Sequence, residues 1–224
     1  MKSMTWLRMA AVGLLVLSGC SEDKDGGGGG GGGAGDKAGF GDDRGRPVGT
    51  AWSLPTGLRL EGELTGTDDD GYCAPVQLDP LGSGFMVRAC VPVRNDGVVG
   101  VPLDLPAGLV LVASSPDFQH GILLEDVHVV IYPGGADAGP QVKSGPLPLY
   151  AFCLNHNRSA SEPKARYTLG PVTQNAQVKE LISLIKGKHI AEDGSKVEVV
   201  QEALWHITDG SGLTADDRAA LAEL

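Results

Sequence analysis

Residues 91–114 read VPVRNDGVVGVPLDLPAGLVLVAS. Short apolar runs rich in Val and Leu are bounded by turn residues, with Asn95-Asp96-Gly97 marking a reversal. That is the pattern of strands in an antiparallel sheet. It continues on both sides. Upstream, Leu58 to Thr65 alternates apolar and polar residues as one half-buried strand, Thr67-Asp68-Asp69-Asp70-Gly71 is a turn, and Phe85 to Val93 is a longer strand. Downstream, strands are expected at Val98–Leu103, Leu105–Val112, Ile122–Leu124 and Val127–Tyr132. Gly134-Gly135 and Gly139-Pro140 break the chain before a last strand, Pro148 to Leu154, which carries Cys153. About seven or eight short strands with regular turn signals predict an antiparallel β-sandwich over residues 50–148.

Beyond that strand the period changes to that of helices. Val178, Leu181, Ile182 and Ile185 recur at helical spacing, and Gly187 stops the run. Ser195 and Glu198 have the spacing of a capping box for a second helix, which runs to about Thr208 and ends at Gly210. A third helix starts near Thr214-Ala215-Asp216-Asp217, where acids suit the positive end of the dipole, and presents Leu221 and Leu224. The expected fold is therefore mainly β with an α annex, the annex forming with the last strand a unit over 149–224. The segment 91–114 also resembles the Ig-like modules of bacterial surface proteins, in which an Asn-containing turn precedes a Leu-Pro-x-Gly-Leu strand. That resemblance implies an Ig-like sandwich and says nothing of activity.

The amino terminus states where the protein resides. Lys2 and Arg8 precede an apolar run from Met9 to Leu17, too short to span a bilayer and laid out as a secretory signal, residues 1–19. Leu17-Ser18-Gly19-Cys20 resembles the bacterial lipobox. The resemblance implies that Cys20 is the first mature residue and carries lipid, making the bilayer a partner through acylation. Ser21 in place of Asp implies the outer membrane if the cell has one. Residues 20–49 read as a Gly/Asp-rich tether, with an unbroken glycine tract from Gly26 to Gly33. Such a segment has no apolar surface to offset chain entropy. No strand precedes the tract and no helix follows it, so it is not a phosphate loop.

Formal charge is −10, from 18 Lys and Arg against 28 Asp and Glu. No basic cluster stands out, which argues against a nucleic-acid partner. With Cys20 assigned to lipid, Cys73, Cys90 and Cys153 remain in an oxidising compartment. Cys73 and Cys90 sit on adjacent expected strands and are the first choice for a disulfide. Pairing of Cys90 with Cys153 is the other possibility, and an inert buried Cys153 a third. Asp68, Asp69 and Asp70 lack the rest of a calcium-loop pattern and read as a solvated acidic turn.

The leftover thiol finds a counterpart on the second helix. Val197, Gln201, Leu204, Trp205 and Thr208 share one stripe, while Leu147, Leu149, Ala151 and Cys153 share one strand face. Both Cys153 and Gln201 therefore point inward, and a buried carboxamide needs partners. Phe152-Cys153-Leu154 together with Gln201-Glu202-Ala203-Leu204-Trp205-His206-Ile207-Thr208-Asp209-Gly210 resembles the thioester domains of bacterial surface proteins. Those domains pair an aromatic-Cys-aliphatic strand with a Thr-Gln-x-Ala-Ile-Trp segment. Here Val200 stands where the Thr is usual, and the Cys-to-Gln interval is short for the larger members. Thr173-Gln174-Asn175-Ala176 spells the literal tetrapeptide but lacks the Trp ending, so Gln174 ranks second.

The resemblance implies an internal thioester between Cys153 and Gln201, shielded by Trp205 and Phe152, that captures a partner's amine or hydroxyl. His206 or His156 is a possible base for that step. Such a protein reacts once, is not an enzyme, and needs no cofactor. The alternative is an envelope lipoprotein that is structural or binds non-covalently and has no thioester. A thiol hydrolase using Cys153 with either His is a further class, unsupported by any nucleophile motif. The five His are scattered without ligand spacing, so no metal site is expected.

Overall fold

The computed structural model describes residues 37–75, 78–134 and 144–224. Cys20, the signal segment and the tether up to residue 36 lie outside the described residues. Among the described residues ten strands come first: β1 (Gly49–Thr50), β2 (Leu58–Leu60), β3 (Leu64–Gly66), β4 (Val87–Asn95), β5 (Val101–Leu105), β6 (Leu109–Ala113), β7 (Gly121–Ile122), β8 (Val127–Ile131), β9 (Gly145–Cys153) and β10 (Arg166–Thr173). Three helices follow: α1 (Ala176–Ile185), α2 (Gly194–Thr208) and α3 (Ala215–Glu223). The chain is mainly β with a helical annex.

The principal sheet runs β10-β3-β4-β9-β7-β6, and β10 pairs again with β6, so six antiparallel strands close into a barrel-like sheet. The strand and turn pattern predicts a β-sandwich, and β10 is the reason for the difference. Gly170-Pro171 suggests a loop, yet both residues lie inside β10, where the register shifts between Leu169 and Val172. Gly170 is needed there because a Cβ would sit 2.6 Å from Val112 Cγ2. With β10 in place the edges meet and no open edge is left along the circuit. β5 and β8 form a separate two-stranded sheet. The boundary drawn at 148/149 falls inside β9, so that strand belongs wholly to the β part.

Two further expectations are corrected. Leu58 to Thr65 is two strands, because Gly62 adopts φ +106° and turns the chain between β2 and β3. The second helix is capped by Asp193, whose Oδ1 accepts from Ser195 N at 2.8 Å, rather than by Ser195 with Glu198. The capping box occurs one helix later, between Thr214 and Asp217.

Two apolar clusters share the strands between them. Leu109, Leu111, Leu149, Ala151 and Tyr167 point into the barrel, with Leu103, Leu105, Val127 and Ile131 from the β5–β8 ribbon in the same cluster. Val110, Val112, Ile122, Phe152 and Leu154 point the other way, against Val178, Leu181, Ile185, Val200, Leu204, Ile207 and Leu221 of the helices. The unbroken Leu-Val-Leu-Val-Ala run of β6 follows from this: both of its faces are buried. The helices thus cover the outside of the β6-β7-β9 wall. A disulfide joins Cys73 to Cys90 on β4 across a sequence separation of 17, a loop whose closure stabilises by roughly 3 kcal/mol in the chain-entropy picture. No helix among the described residues is long and apolar enough to cross a membrane.

Candidate functional site: the Cys153–Gln201 junction

β4 begins at Val87, opposite Ala151 of β9. One pair further along, β9 has outrun β4, and the polar groups of Cys153 on that side have no strand to meet. Its other neighbour does not take them: across β7 the bond is Leu154 N to His120 O, 3.0 Å. The Gln201 side chain fills the gap. Its Oε1 accepts from Cys153 N at 2.8 Å and its Nε2 donates to Cys153 O at 2.9 Å. A carboxamide thus extends the ladder where β4 stops, which satisfies two buried backbone groups at once. Gln201 reaches that point because α2 packs Val197, Val200, Ala203, Leu204 and Ile207 onto the sheet, and Gln201 lies on the same buried side.

Among the described residues Cys153 has no disulfide partner; it has no exposed surface, and Gln201 retains 1%. Burial pushes the thiol up to about 11 from 9.0, and Asp209 adds to the rise. The Trp205 and Asn155 N–H groups and the Arg158 charge oppose it. Asn155 N donates to the sulfur at 3.2 Å, and the Trp205 indole N–H is buried with no hydrogen-bond partner among the described residues. The sulfur is therefore a protonated thiol at neutral pH, with a spare N–H donor beside it.

Gln201 also borders a pocket that opens to the outside. A pocket of about 390 Å³ is lined by Gln201 with Phe85, His156, Glu198, Glu202, Trp205, His206 and Asp209. The Trp205 ring packs on the His156 ring at 4.5 Å between centroids. His206 Nδ1 faces the Asp217 carboxylate at 2.9 Å. Asp217 is buried; burial works to raise its pKa, but the Thr214 hydroxyl and N–H and His206 outweigh that and hold it low. With Nδ1 hydrogen-bonded to a carboxylate, a neutral His206 has its lone pair on Nε2, as a general base needs.

Of the candidate residues, Cys153, Gln201 and Trp205 come together, and His156 and His206 border the same pocket. Phe152 is fully buried against the helices, one residue behind the thiol. Gln174 is exposed and spends its amide on Thr50 Oγ1, 2.9 Å, and Val172 O. Three participants carry no sequence signal of a role at this site. Asn155 is fully buried, accepts from His120 N at 2.8 Å, and donates to Gly39 O and Gly41 O, pinning the amino-terminal segment over the end of β9. Asp217 doubles as helix cap and histidine partner. Phe85 enters from the loop before β4.

Comparison with family models, curated proteins and solved structures finds no match.

Proposed function

We propose that this chain is a lipid-anchored cell-surface binding protein whose Cys153 and Gln201 condense into an internal thioester for covalent capture of a partner. The observation that carries the reading is the double hydrogen bond between the Gln201 carboxamide and the Cys153 backbone. It fixes the acyl group on the residue that bears the nucleophile, and such fixing supplies effective concentration. In the condensation, Cys153 sulfur attacks Gln201 Cδ, the C–S bond forms and the C–N bond breaks. The thiol proton leaves with the amide nitrogen as ammonia. In the capture, a partner amine attacks the same carbon through the pocket, the C–S bond breaks, and the sulfur regains a proton. His206, oriented by Asp217, takes the amine's surplus proton and returns it to the sulfur.

An amine is favoured over a hydroxyl, because Glu198, Glu202 and Asp209 line the pocket and attract a cationic partner. The protein acts once per molecule and is not a turnover enzyme. Anchoring rests on the lipobox-like segment ending at Cys20, which places the protein on the cell envelope, the outer membrane in a cell with two. The Ig-like likeness of residues 91–114 belongs to this reading too. What supports it is the β5–β8 ribbon laid against β4, tied by Asn95 Nδ2 to Ile131 O at 2.8 Å.

A second reading has its own observation. The Gln201 carboxamide already satisfies both buried polar groups of Cys153, and the thiol lies well above neutral pH in pKa. On those terms Gln201 is a structural clamp in a non-covalent envelope lipoprotein. Isotope-labelled methylamine separates the two. The thioester reading expects incorporation at Gln201, mapped by peptide mass, with release of one thiol at Cys153. The clamp reading expects neither.

A further inference from the structure

A second pocket, of about 320 Å³, has no part in the chemistry above. Arg44, Arg46 and Arg158 line it with His120, Ser114 and Thr168, and no carboxylate belongs to its lining. This is unexpected in a chain of net charge −10. Among the described residues none of these three guanidiniums pairs with a carboxylate, although ion pairs occur elsewhere on the surface. The acids nearest in sequence are engaged by other donors: Asp42 accepts from Asn157 Nδ2, and Asp43 accepts from Gly39 N and Gly45 N.

The histidine decides what the pocket asks for. His120 is 5% exposed, and its Nδ1 accepts from Ala113 N at 2.9 Å. A nitrogen that accepts from a backbone N–H carries no proton, so in the neutral ring the proton sits on Nε2. Burial and the nearby Arg158 and Arg46 charges push this ring down to about 4, so neutral is its state at ordinary pH. Nε2–H then faces Arg158 Nη1 at 3.3 Å. Two donors that close cannot bond to each other. A shared acceptor between them satisfies both, and guanidinium is the side chain best shaped to hold an oxyanion.

We propose that this pocket binds a phosphate group carried on a small organic body, held by Arg158 and the His120 Nε2–H with Arg44 and Arg46 closing over it. The pocket volume exceeds that of a bare phosphate and lies within the range of small-ligand sites. Arg158 is oriented for this by donating Nη2 to Asp43 O at 2.7 Å, and His120 by Asn155, which accepts from its backbone N–H. The phosphate source is either a soluble monoester or a lipid headgroup, and the two share this chemistry. The proposal does not depend on the thioester.

The test is calorimetric titration of the full chain in detergent with glycerol 3-phosphate at low salt, with vesicles containing phosphatidate run in parallel. Arg44→Gln with Arg46→Gln is the first variant, since neither side chain hydrogen-bonds to a described residue and the fold should persist. Binding of glycerol 3-phosphate that weakens about tenfold or more in this variant, and again in Arg158→Gln, supports the site. Stronger binding to the vesicles, with the same loss in the variants, supports it with a lipid headgroup as source. No binding of either probe, or binding that the variants leave unchanged while their melting temperatures match the parent, overturns it.

Discussion

The Gln201 carboxamide closes on the backbone of Cys153 as a strand would, accepting at 2.8 Å and donating at 2.9 Å. These bonds join the helical annex to the barrel at the residue that carries the free thiol. Because they use the backbone of residue 153 and not its sulfur, the two residues are expected to respond differently to substitution.

Gln201→Ala leaves a buried N–H and a buried C=O unpaired. It is expected to destabilise the fold by about 2–6 kcal/mol, each orphaned group costing about 1–3 kcal/mol. Cys153→Ala keeps both bonds and loses the packing of one sulfur together with its weak acceptance from Asn155 N, about 1–2 kcal/mol. Urea unfolding of the two variants measures the difference. Equal losses would mean that the carboxamide does not hold the junction.

With Cys153 unmodified, its thiol gives stability a defined pH dependence. The folded pKa, about 11, lies above the ordinary value of 9.0. Burial favours the neutral thiol, so this contribution is complete below about pH 9 and is lost as pH rises through the folded value. The loss is on the order of 2–3 kcal/mol between those limits. Cys153→Ala should remove that slope, and so should a thioester, which has no thiol to titrate. Chemical denaturation across alkaline pH, with and without the substitution, tests it. An unchanged slope in the variant contradicts the assignment to Cys153.

Asp217 serves both α3 and His206. Asp217→Asn weakens the cap and removes the charge that orients the imidazole, costing about 1 kcal/mol of stability. If His206 is the base in capture, methylamine incorporation should slow about a hundredfold in His206→Ala and by a comparable factor in Asp217→Asn. Incorporation rates read by mass give the answer. Full-rate capture in both variants removes His206 from the mechanism.

Phe152 lies between the sheet and the helices with no exposed surface. Phe152→Ala should cost about 3–5 kcal/mol and loosen the helices over the thiol. Alkylation of Cys153, read by mass, should then become faster at neutral pH than in the parent. Unchanged protection would show that the helices stay in place without this ring.

The strands that alternate, and the helices with clear periods, were legible in the sequence, because burial of one face leaves a pattern of fixed period. α1 ends where Gly187 predicts, and the Cys73–Cys90 bridge is the expected pair, although only Cys90 lies on a strand and Cys73 sits in the connection between β3 and β4. β10 was not legible. Its Gly170-Pro171 pair has the composition of a loop, yet the glycine serves a close approach to Val112 that only the fold creates. Cys153 and Gln201 were both readable as inward-facing. That the carboxamide would meet the backbone of residue 153 depends on where β4 ends, and no local pattern encodes that point. Asn155, Asp217 and the pocket around His120 are assembled from distant segments and carry no signature of their own.

The most direct measurement is the intact mass of the non-reduced protein, produced with Cys20→Ser so that no lipid is added. The account predicts a chain lighter than its disulfide-bonded sequence by one ammonia, with the deficit absent in Cys153→Ala and in Gln201→Ala. A chain of full mass with a titratable thiol at Cys153 would contradict it, leaving Gln201 as a clamp between sheet and helix.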